Sequence, residues 1–448
     1  MKIPDIPPNP KEILQRKENV KKFSNYISNN KVCKFVEKAN TEYLYWDEIK
    51  YKDVPKNIDL ELLWTIIKFI RHIDTKKIKI SNVNNFNFGY KITDNILQKL
   101  HGFDLSLGGS LKDESVVPKD ERAKSLISST MEEAIASSIL EGAVTTRKEA
   151  KEMLRKGREP KTIDEKMILN NYLTMQQILK LKDRELTPDI VLDIHKSMTN
   201  GTLEDSKSEG RFRDSNDVNV QDSMTGEIAY IPPDFKLIPK LLEDFCDFAN
   251  KDSSKTFIHP VVKACILHFL MGYIHPFDDG NGRTARAIFY WYVLSKGYWL
   301  FQYMSISRKI RDSSAQYARS YLYTENDEND LTYFIKYKTK IIDSALKDLE
   351  EYMTRQKQEK EKIYKYLQVE GMDLNSRQID IIKRFSKNPR ETMTVNEVIN
   401  MFDVVYETAR TDLLSLVEAG LLDKATVGKK KLLFVRSDNF EEILNKKK

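Results

Sequence analysis

The chain has 448 residues, of which 40% are hydrophobic and 31% charged, a composition typical of a globular protein with an extensive polar surface. Its formal net charge of +6 is too small over this length to indicate nucleic-acid binding by itself, and no run approaches the ~18–20 apolar residues that a membrane span requires. The proline-rich, polar start is unlike a signal peptide, and Cys33, Cys246 and Cys265 lack metal-ligand spacing, so we expect a cytoplasmic protein without a membrane partner.

Residues 1–100 predict a small, mainly helical region. Apolar residues recur at helical spacing over residues 60–72, and the Asn- and Lys-rich stretch 77–90 favours a turn or a short hairpin. An aromatic cluster in this region fits either a surface for a partner protein or the core of the region itself, and the second interpretation is favoured. The cluster consists of Tyr43, Tyr45 and Trp46.

A predicted helix over residues 125–140 ends in two polar residues that share a face. Ser137 and Glu141 lie one turn apart, so both side chains point to the same neighbour. Gly142 follows and is a residue type that commonly ends helices, so by itself Glu141 is better explained as an exposed acid near a helix end. Three further helices are predicted downstream, at residues 145–155, 168–180 and 187–198.

Residues 218–233 predict a β-hairpin with a glycine turn around Met224-Thr225-Gly226. The pattern alone does not distinguish a functional hairpin from an ordinary surface hairpin. Apolar residues follow the two-residue spacing on both sides of the turn, at Val218, Val220, Ile228, Tyr230 and Ile231.

The segment from His275 to Arg286 reads His-Pro-Phe-Asp-Asp-Gly-Asn-Gly-Arg-Thr-Ala-Arg and runs into an apolar stretch. That order predicts a loop that opens into a buried helix. Backbone N–H groups at a helix start are unpaired and make an anion site. Gly280 and Gly282 allow the backbone to curl closely around phosphate oxygens.

Four side chains of this loop carry candidate chemistry. His275 can accept a proton near neutral pH. The carboxylate of Asp279 is a ligand that magnesium prefers. Arg283 and Arg286 stand three residues apart, which predicts that both point from one face of the helix start and clamp separate phosphates of a nucleotide.

The residues from Leu374 onward predict helix, helix-turn-helix and a basic hairpin, which is the order of a winged helix. A recognition-helix interpretation puts four residues of the third helix outward, with Lys429–Lys431 as a basic wing on DNA phosphates. The alternative is a domain that contacts protein or packs as a rigid appendage. The outward residues are Glu407, Thr408, Arg410 and Thr411.

The loop matches the Fic motif, HPFx(D/E)GNGRxxR, at every defined position, so the chain resembles Fic proteins. By that resemblance it would transfer the AMP moiety of ATP to a hydroxyl of a target protein. His275 would deprotonate the hydroxyl, and Asp279 would hold magnesium, with manganese as the alternative ion. The phosphates of ATP would be bound by Gly280, Asn281, Gly282, Arg283 and Arg286.

Two other segments acquire roles through the same resemblance. Ser137, Glu141 and Gly142 fit the Fic inhibitory motif, (S/T)xxxE(G/N). By the resemblance, Glu141 would form a salt bridge with Arg286 and block the position at which the γ-phosphate binds. The predicted hairpin would be the flap that adds a strand to a target segment and registers its hydroxyl against the base.

The resemblance implies a mainly α protein: an all-helical Fic core with a small β-hairpin flap, a helical N-terminal extension and a C-terminal winged helix-turn-helix. We expect the extension at residues 1–100, the catalytic domain at 101–355 with its inhibitory helix at about 125–142, and the winged helix at 356–448. The expected function is transfer of AMP to Ser, Thr or Tyr hydroxyls of target proteins or of the chain itself, restrained by Glu141.

Two alternatives to that function stay open. The same site running in reverse would remove AMP from a modified protein, with Glu141 positioning a water. A DNA-binding regulator could instead use the Fic domain to sense nucleotide, although sensing alone does not require the base His275. A homodimer is an assembly that the sequence also allows.

Overall fold

The structure is a computed structural model that describes residues 3–83, 86–107, 122–221, 225–251, 257–369, 374–427 and 431–445. Helices dominate the part of the chain N-terminal to the winged helix, and they are α1 Pro10–Leu14, α2 Lys17–Ile27, α3 Asn30–Thr41, α4 Trp46–Lys50, α5 Leu60–Ile73, α6 Asp94–Leu107, α7 Arg122–Leu140, α8 Arg147–Lys156, α9 Ile163–Leu181, α10 Pro188–Thr199, α11 Ile238–Asn250, α12 Pro260–Ile274, α13 Asn281–Ser295, α14 Ile306–Arg311, α15 Ser314–Asn326 and α16 Thr332–Val369. The same part contains two short antiparallel hairpins, β1 Lys76–Lys79 with β2 Asn87–Tyr90 and β3 Val220–Gln221 with β4 Ile228–Tyr230. The predicted mainly α fold is confirmed.

The helices α12 and α13 form the centre of the largest hydrophobic core. Nearly every residue of both is buried, and α6, α10, α11 and α16 contribute side chains around them. A helix that is apolar on all sides is stable only when it is enclosed in this way. The loop predicted to carry the chemistry connects these two helices, so both of its ends are anchored in the largest core.

The helix α7 packs with α8 and α9 around a smaller core that includes Met131, Met153 and Ile168. It ends where the N–H of Ala143 donates to the carbonyl of Ser138 at 3.0 Å, with Gly142 at a φ of +95°. A glycine in the left-handed region is a common way to end a helix. The backbone of Glu141 is therefore held at a defined helix end.

The N-terminal aromatic cluster is core. Tyr43, Tyr45 and Trp46 are all buried, and the rings of Tyr45 and Tyr323 stack at a centroid distance of 3.8 Å. Tyr333 of α16 belongs to the same hydrophobic cluster. The extension is thus fixed to the helix that also supports the central core.

The C-terminal part forms the predicted winged helix. Its helices are α17 Ser376–Lys387, α18 Val395–Phe402, α19 Tyr406–Glu418 and α20 Phe440–Asn445, and its three-stranded sheet has the order β5 Thr392–Met393, β7 Lys431–Arg436, β6 Leu422–Val427. On α19, Glu407, Arg410 and Thr411 are exposed and Thr408 is half-buried. Of the predicted basic wing, Gly428–Lys430 lie outside the described residues, and Lys431 is described by its backbone alone.

The winged helix docks on the helices that carry the predicted inhibitory residues. The helix α18 packs against both α7 and α8. At the start of α7, Lys124 Nζ lies 2.7 Å from Asp380 Oδ2 of α17, and at the end of α8 the carbonyl of Arg155 accepts a hydrogen bond of 3.2 Å from Asn400 Nδ2. Any movement of α7 therefore changes contacts with the winged helix.

Cys246 and Cys265 are buried, and Cys33 is exposed. Among the described residues, none of the helices combines the length and the apolar character needed to cross a membrane.

The attachment of the N-terminal extension depends on Arg71, which is 1% exposed. Its guanidinium donates to Asn40 Oδ1 at 2.8 Å, to the Tyr333 hydroxyl at 2.7 Å and to the Leu44 carbonyl at 2.9 Å. Arg71→Ala leaves these buried acceptors unpaired, so we expect a loss of about 3 kcal/mol or more in the free energy of unfolding measured in urea. The exposed control Lys22→Ala should change it by less than about 0.5 kcal/mol, and equal effects of the two substitutions would contradict this account.

Candidate active site

The loop between α12 and α13 turns at two residues with positive φ. His275 ends α12 at a φ of +50°, and Gly280 precedes α13 at +83°. A Cβ added at Gly280 would lie 2.9 Å from Thr199 Cγ2 and 3.1 Å from His195 Nε2. Both the backbone conformation and the available space require glycine there.

The side chain of Asn281 closes the loop. Its Oδ1 accepts from the N–H of Phe277 at 3.0 Å, and its Nδ2 donates to the Phe277 carbonyl at 2.8 Å. Asn281 is 3% exposed, so the amide is fully engaged inside the loop. Its side chain shapes the turn, and only its backbone N–H remains for an anion at the helix start.

His195 of α10 contacts the loop at Phe277 and Asp279. Its ring stacks on Phe277 at a centroid distance of 3.7 Å, and Nε2 donates to the carbonyl of Asp279 at 2.8 Å. Nδ1 accepts from the N–H of Gly210 at 3.0 Å. Burial lowers the pKa of His195 to about 4, so the ring is neutral, as this pair of hydrogen bonds requires. These contacts give His195 a structural role in the loop.

Arg213 is a site residue to which the sequence assigned no role. Its Nε donates to the carbonyl of His275 at 2.9 Å, and its backbone N–H donates to the carbonyl of Pro276 at 2.9 Å. Its guanidinium also donates to the carbonyls of Ser215 and Pro233, which flank the β3–β4 hairpin. Arg213 thus joins the loop to the hairpin.

The imidazole of His275 is oriented by one hydrogen bond. Nδ1 lies 3.1 Å from the carbonyl of Gly272, which can only accept, so Nδ1 carries the proton and Nε2 keeps its lone pair. Burial lowers the pKa of His275 and outweighs the opposing effects of this hydrogen bond and of Glu141. The ring is therefore neutral near pH 7 with a basic nitrogen at Nε2.

The structure brings Ser137, Glu141 and Arg286 together. Arg286 Nη2 lies 2.8 Å from Glu141 Oε1, Arg286 Nε donates to Ser137 Oγ at 2.9 Å, and Nη2 also donates to the Ser137 carbonyl at 3.0 Å. The side chain of Arg286 is 4% exposed and that of Glu141 22%. The one-turn spacing that the sequence predicts is what lets both residues reach a single guanidinium.

The carboxylate of Glu141 also lies over the first turn of α13. A Cβ added at Gly282 would overlap Glu141 Oε1, and it would lie 3.1 Å from Arg286 Nη1. Gly282 belongs to the helix and not to the preceding turn, so its role is to leave room at the helix start. The anion site predicted there is filled by a carboxylate of the same chain.

Burial by itself would raise the pKa of Glu141, but the charges of Arg286 and Arg283 and the hydrogen bond from Arg286 outweigh it and lower that pKa. The pKa of Arg286 is raised, because the attraction of Glu141 outweighs the effect of burial. The two directions agree, so the pair is ionic at neutral pH.

Arg283 and Arg286 diverge, although their spacing predicts a common face. Arg283 is 1% exposed, lies 3.3 Å from Asp279 Oδ2 through Nη2, and approaches the Met198 carbonyl of α10 at 3.4 Å. Arg286 instead points to α7. The acceptors of Arg283 lie in the loop and near the end of α10, whereas those of Arg286 lie at the end of α7.

Asp279 presents an exposed carboxylate on the loop. Its side chain is 59% exposed, and one of its oxygens accepts from the N–H of Gly280 at 2.5 Å. Among the described residues, no group of three or more His, Cys, Asp or Glu side chains converges as a metal cage. A single exposed carboxylate suits magnesium, which is usually bound by one or two carboxylates together with substrate phosphates.

The hairpin of β3 and β4 lies beside this loop, with Val220 opposite Tyr230 and Gln221 opposite Ile228, and with a register shift between the two pairs. Val218 and Ile231 lie outside the paired strands, so the hairpin is shorter than predicted, and Met224 of the predicted turn lies outside the described residues. The Tyr230 hydroxyl donates to the carbonyl of Tyr273 at 2.8 Å, just before His275. Ile228 and Ile231 are exposed.

The ion pair predicts a pH-dependent contribution to stability. Since the pKa of Glu141 is lower in the folded protein than in the unfolded chain, its ionised form stabilises the fold above about pH 4.3, and this contribution is lost as pH falls through the lowered value. Glu141→Gln should therefore lower the stability at pH 7 by about 1–3 kcal/mol. The thermal unfolding midpoints of variant and wild type should converge towards pH 3.

The control is Glu328→Gln, which replaces an acid whose side chain is 63% exposed and lies 3.9 Å from Lys68, whose shorter contact is with Asp327 at 2.8 Å. It should behave like the wild type at every pH. A Glu141→Gln deficit that is the same at pH 7 and pH 3 would refute an ionic Glu141–Arg286 contact.

Two segments of the chain match known families. Residues 185–293 match the Fic/DOC family, and residues 377–429 match the DeoR-like helix-turn-helix domain. The chain is 28% identical over 121 residues to protein adenylyltransferase fic-1 of Caenorhabditis elegans, which covers 27% of this chain and 22% of that protein. It is 32% identical over 127 residues to protein adenylyltransferase Fic of Nematostella vectensis, covering 27% of each.

Among solved structures, Fic-1 (aa134–508) from C. elegans aligns with 72% of this chain and 84% of that chain, at 19% identity and a TM-score of 0.48. The two curated relatives named above are matched over only about a quarter of their own length. The Fic/DOC match contains the hairpin, the whole loop and most of α13. The chain carries a Fic-family domain followed by a DeoR-like helix-turn-helix domain.

Proposed function

We propose that the chain is an autoinhibited protein adenylyltransferase that moves AMP from ATP to a Ser, Thr or Tyr hydroxyl of a target protein. The observation that carries this proposal is the Glu141 carboxylate, which lies between Arg286 and the first turn of α13. A guanidinium and a helix start together are a phosphate site, and here an internal acid covers it. The names of the curated relatives support the same activity.

The reaction requires a base and an activated phosphorus. The target hydroxyl attacks the α-phosphorus of ATP, an O–P bond forms, the α–β anhydride bond breaks, and pyrophosphate leaves. His275 takes the hydroxyl proton at Nε2, which has a lone pair because Nδ1 donates to Gly272. The left-handed backbone at His275 and the bond from Arg213 to its carbonyl fix the direction of the ring.

The phosphates of ATP would lie on the start of α13. The backbone N–H groups at Asn281 and Gly282, together with Arg286, would contact the outer phosphates, while Arg283 stands beside Asp279. Asp279 would hold magnesium, which when bound neutralises charge on the phosphates and on the leaving pyrophosphate. Asn281 and His195 keep the turn in shape for this purpose.

The target would be aligned by the β3–β4 hairpin. An extended segment that adds to a strand edge is held by its backbone and tolerates many sequences. The hairpin is tied to the residues next to His275 through Tyr230 and through Arg213. A hydroxyl on such a segment would therefore have a fixed position relative to Nε2 of His275.

Inhibition follows from competition for one guanidinium. The γ-phosphate and the Glu141 carboxylate would both seek Arg286 and the N–H groups at Gly282, and both cannot occupy the same position. With Glu141 in place, ATP would bind with its phosphate chain displaced and its α-phosphorus out of line. Release of α7 at Glu141 would restore the productive position.

The test is incorporation of α-labelled ATP into the chain and into cell lysate with magnesium. Glu141→Gly should label about tenfold or more above the wild type, because it removes an ion pair worth about 1–3 kcal/mol. The matched control is Glu328→Gly, an exposed acid at a φ of +57°, where glycine suits the backbone, and it should label like the wild type. Equal labelling of all three proteins would reject Glu141 as an inhibitor.

The pH profile of transfer tests His275. Because burial lowers the pKa of His275 below its ordinary value, transfer by Glu141→Gly should stay at its plateau from pH 7 down to about 6.5 and should fall only at lower pH. His275→Ala in the same background should abolish transfer while ATP still binds. Retained transfer in His275→Ala, or a rate that still rises steeply above pH 7.5, would contradict His275 as the base.

The C-terminal domain favours a second activity, binding of duplex DNA. The match to the DeoR-like helix-turn-helix and the exposed Glu407, Arg410 and Thr411 on α19 support it. In helix-turn-helix proteins the second helix of the motif enters the major groove. We place this domain at residues 356–448, separate from the chemistry at His275.

A further inference from the structure

A cleft opens between α8 and the winged helix, lined on one side by α8 and on the other by the end of α17 and the turn before β5. We call it the α8 cleft. Its volume is about 1050 Å³, and eight Lys or Arg line it against two Glu. This excess of six positive charges equals the formal net charge of the whole chain. Outside the cleft, the number of Lys and Arg residues equals the number of Asp and Glu residues.

One carboxylate bridges the two walls of the α8 cleft. Glu391 Oε1 lies 3.2 Å from Arg155 Nη1 of α8, and 3.0 and 2.8 Å from Nε and Nη2 of Arg384 of α17. Three N–H groups from two parts of the fold thus converge on one oxygen. An anionic oxygen of a ligand would find the same donors at the same spacing.

Two cations of the cleft have no acid of their own, whereas Lys156 pairs with Glu152 and Lys387 pairs with Glu359. Lys148 and Arg390 are exposed, and in the ranges that the structure describes no side-chain acceptor lies within hydrogen-bonding distance of either. Like charges gathered in a concave surface raise the local potential and attract anions. The site is therefore built for more negative charge than Glu391 supplies.

We propose that the α8 cleft binds a chain of phosphate groups. Arginine forks and lysine ammonium groups are the side chains that recognise phosphate, and a cleft of this volume accepts several linked phosphates. The phosphates come either from a free polyphosphate or from the backbone of a nucleic acid. Both sources present the same chemistry to the cleft.

A ligand in the α8 cleft would act on the inhibitory helix. Arg147 and Lys151 line the cleft and pair with Glu132 of α7, Arg147 Nε at 2.7 Å from Oε2 and Lys151 Nζ at 3.1 Å from Oε1. Phosphates that draw these cations away leave Glu132, whose side chain is 13% exposed, without partners. The docking of α7 weakens, and with it the contact of Glu141. This consequence rests on the proposed function, whereas binding in the cleft does not.

The test is calorimetric titration of the full chain with inorganic tripolyphosphate, without ATP or magnesium. The variant Lys148→Glu with Arg390→Glu should bind about tenfold or more weakly than the wild type, because it reverses two exposed cleft charges. The control Lys21→Glu with Lys22→Glu makes the same charge change on exposed residues of α2 and should bind like the wild type. Tripolyphosphate that binds at the start of α13 contributes equally in all three proteins, because neither variant changes that site.

A second arm replaces tripolyphosphate with a duplex oligonucleotide. Cleft-dependent binding of tripolyphosphate identifies a free polyphosphate as the ligand, and cleft-dependent binding of the duplex alone identifies a nucleic-acid backbone. Equal affinities in all three proteins with both probes, or equal losses in the cleft and control variants, would overturn the proposal. None of these outcomes depends on transfer of AMP, so failure of the site and failure of the enzyme are distinguishable.

Discussion

The structure depends on one position for negative charge at the start of α13. Arg286 points to this position, and Gly282 leaves the space open beside the first helical turn. Glu141 fills the position and is held by the end of α7 and by Ser137. A buried guanidinium without a partner would be costly, so the pair stabilises the fold, and we propose that it also blocks the site. In this account, the inhibited state is also the more stable state.

The loop around this position is shaped by groups that do no chemistry. The amide of Asn281 joins both backbone groups of Phe277, His195 supports the carbonyl of Asp279, and Arg213 binds the carbonyl of His275. Each contact fixes backbone, which leaves the functional side chains oriented before any ligand arrives. The buried helices α12 and α13 hold the two ends of the loop and help to keep this orientation.

Local patterns in the sequence predicted much of this arrangement. The one-turn spacing of Ser137 and Glu141, the glycines of the loop and the order of the winged helix all act over a few residues. The contacts of Arg213 and His195 could not be predicted from the sequence, because their partners are backbone carbonyls 62 and 84 residues away. A contact with a distant backbone group produces no recognisable sequence pattern. The divergence of Arg283 and Arg286 and the α8 cleft likewise arise from packing between distant segments.

The central claim is that Glu141 and the γ-phosphate compete for Arg286. The direct measurement is calorimetric affinity for ATP and for AMP in His275→Ala and in His275→Ala with Glu141→Gly, so that no turnover interferes. The account predicts that removal of Glu141 strengthens ATP binding by about tenfold, or 1.4 kcal/mol, and leaves AMP binding unchanged, since AMP has no γ-phosphate. An equal gain for both nucleotides, or no gain for ATP, would contradict it.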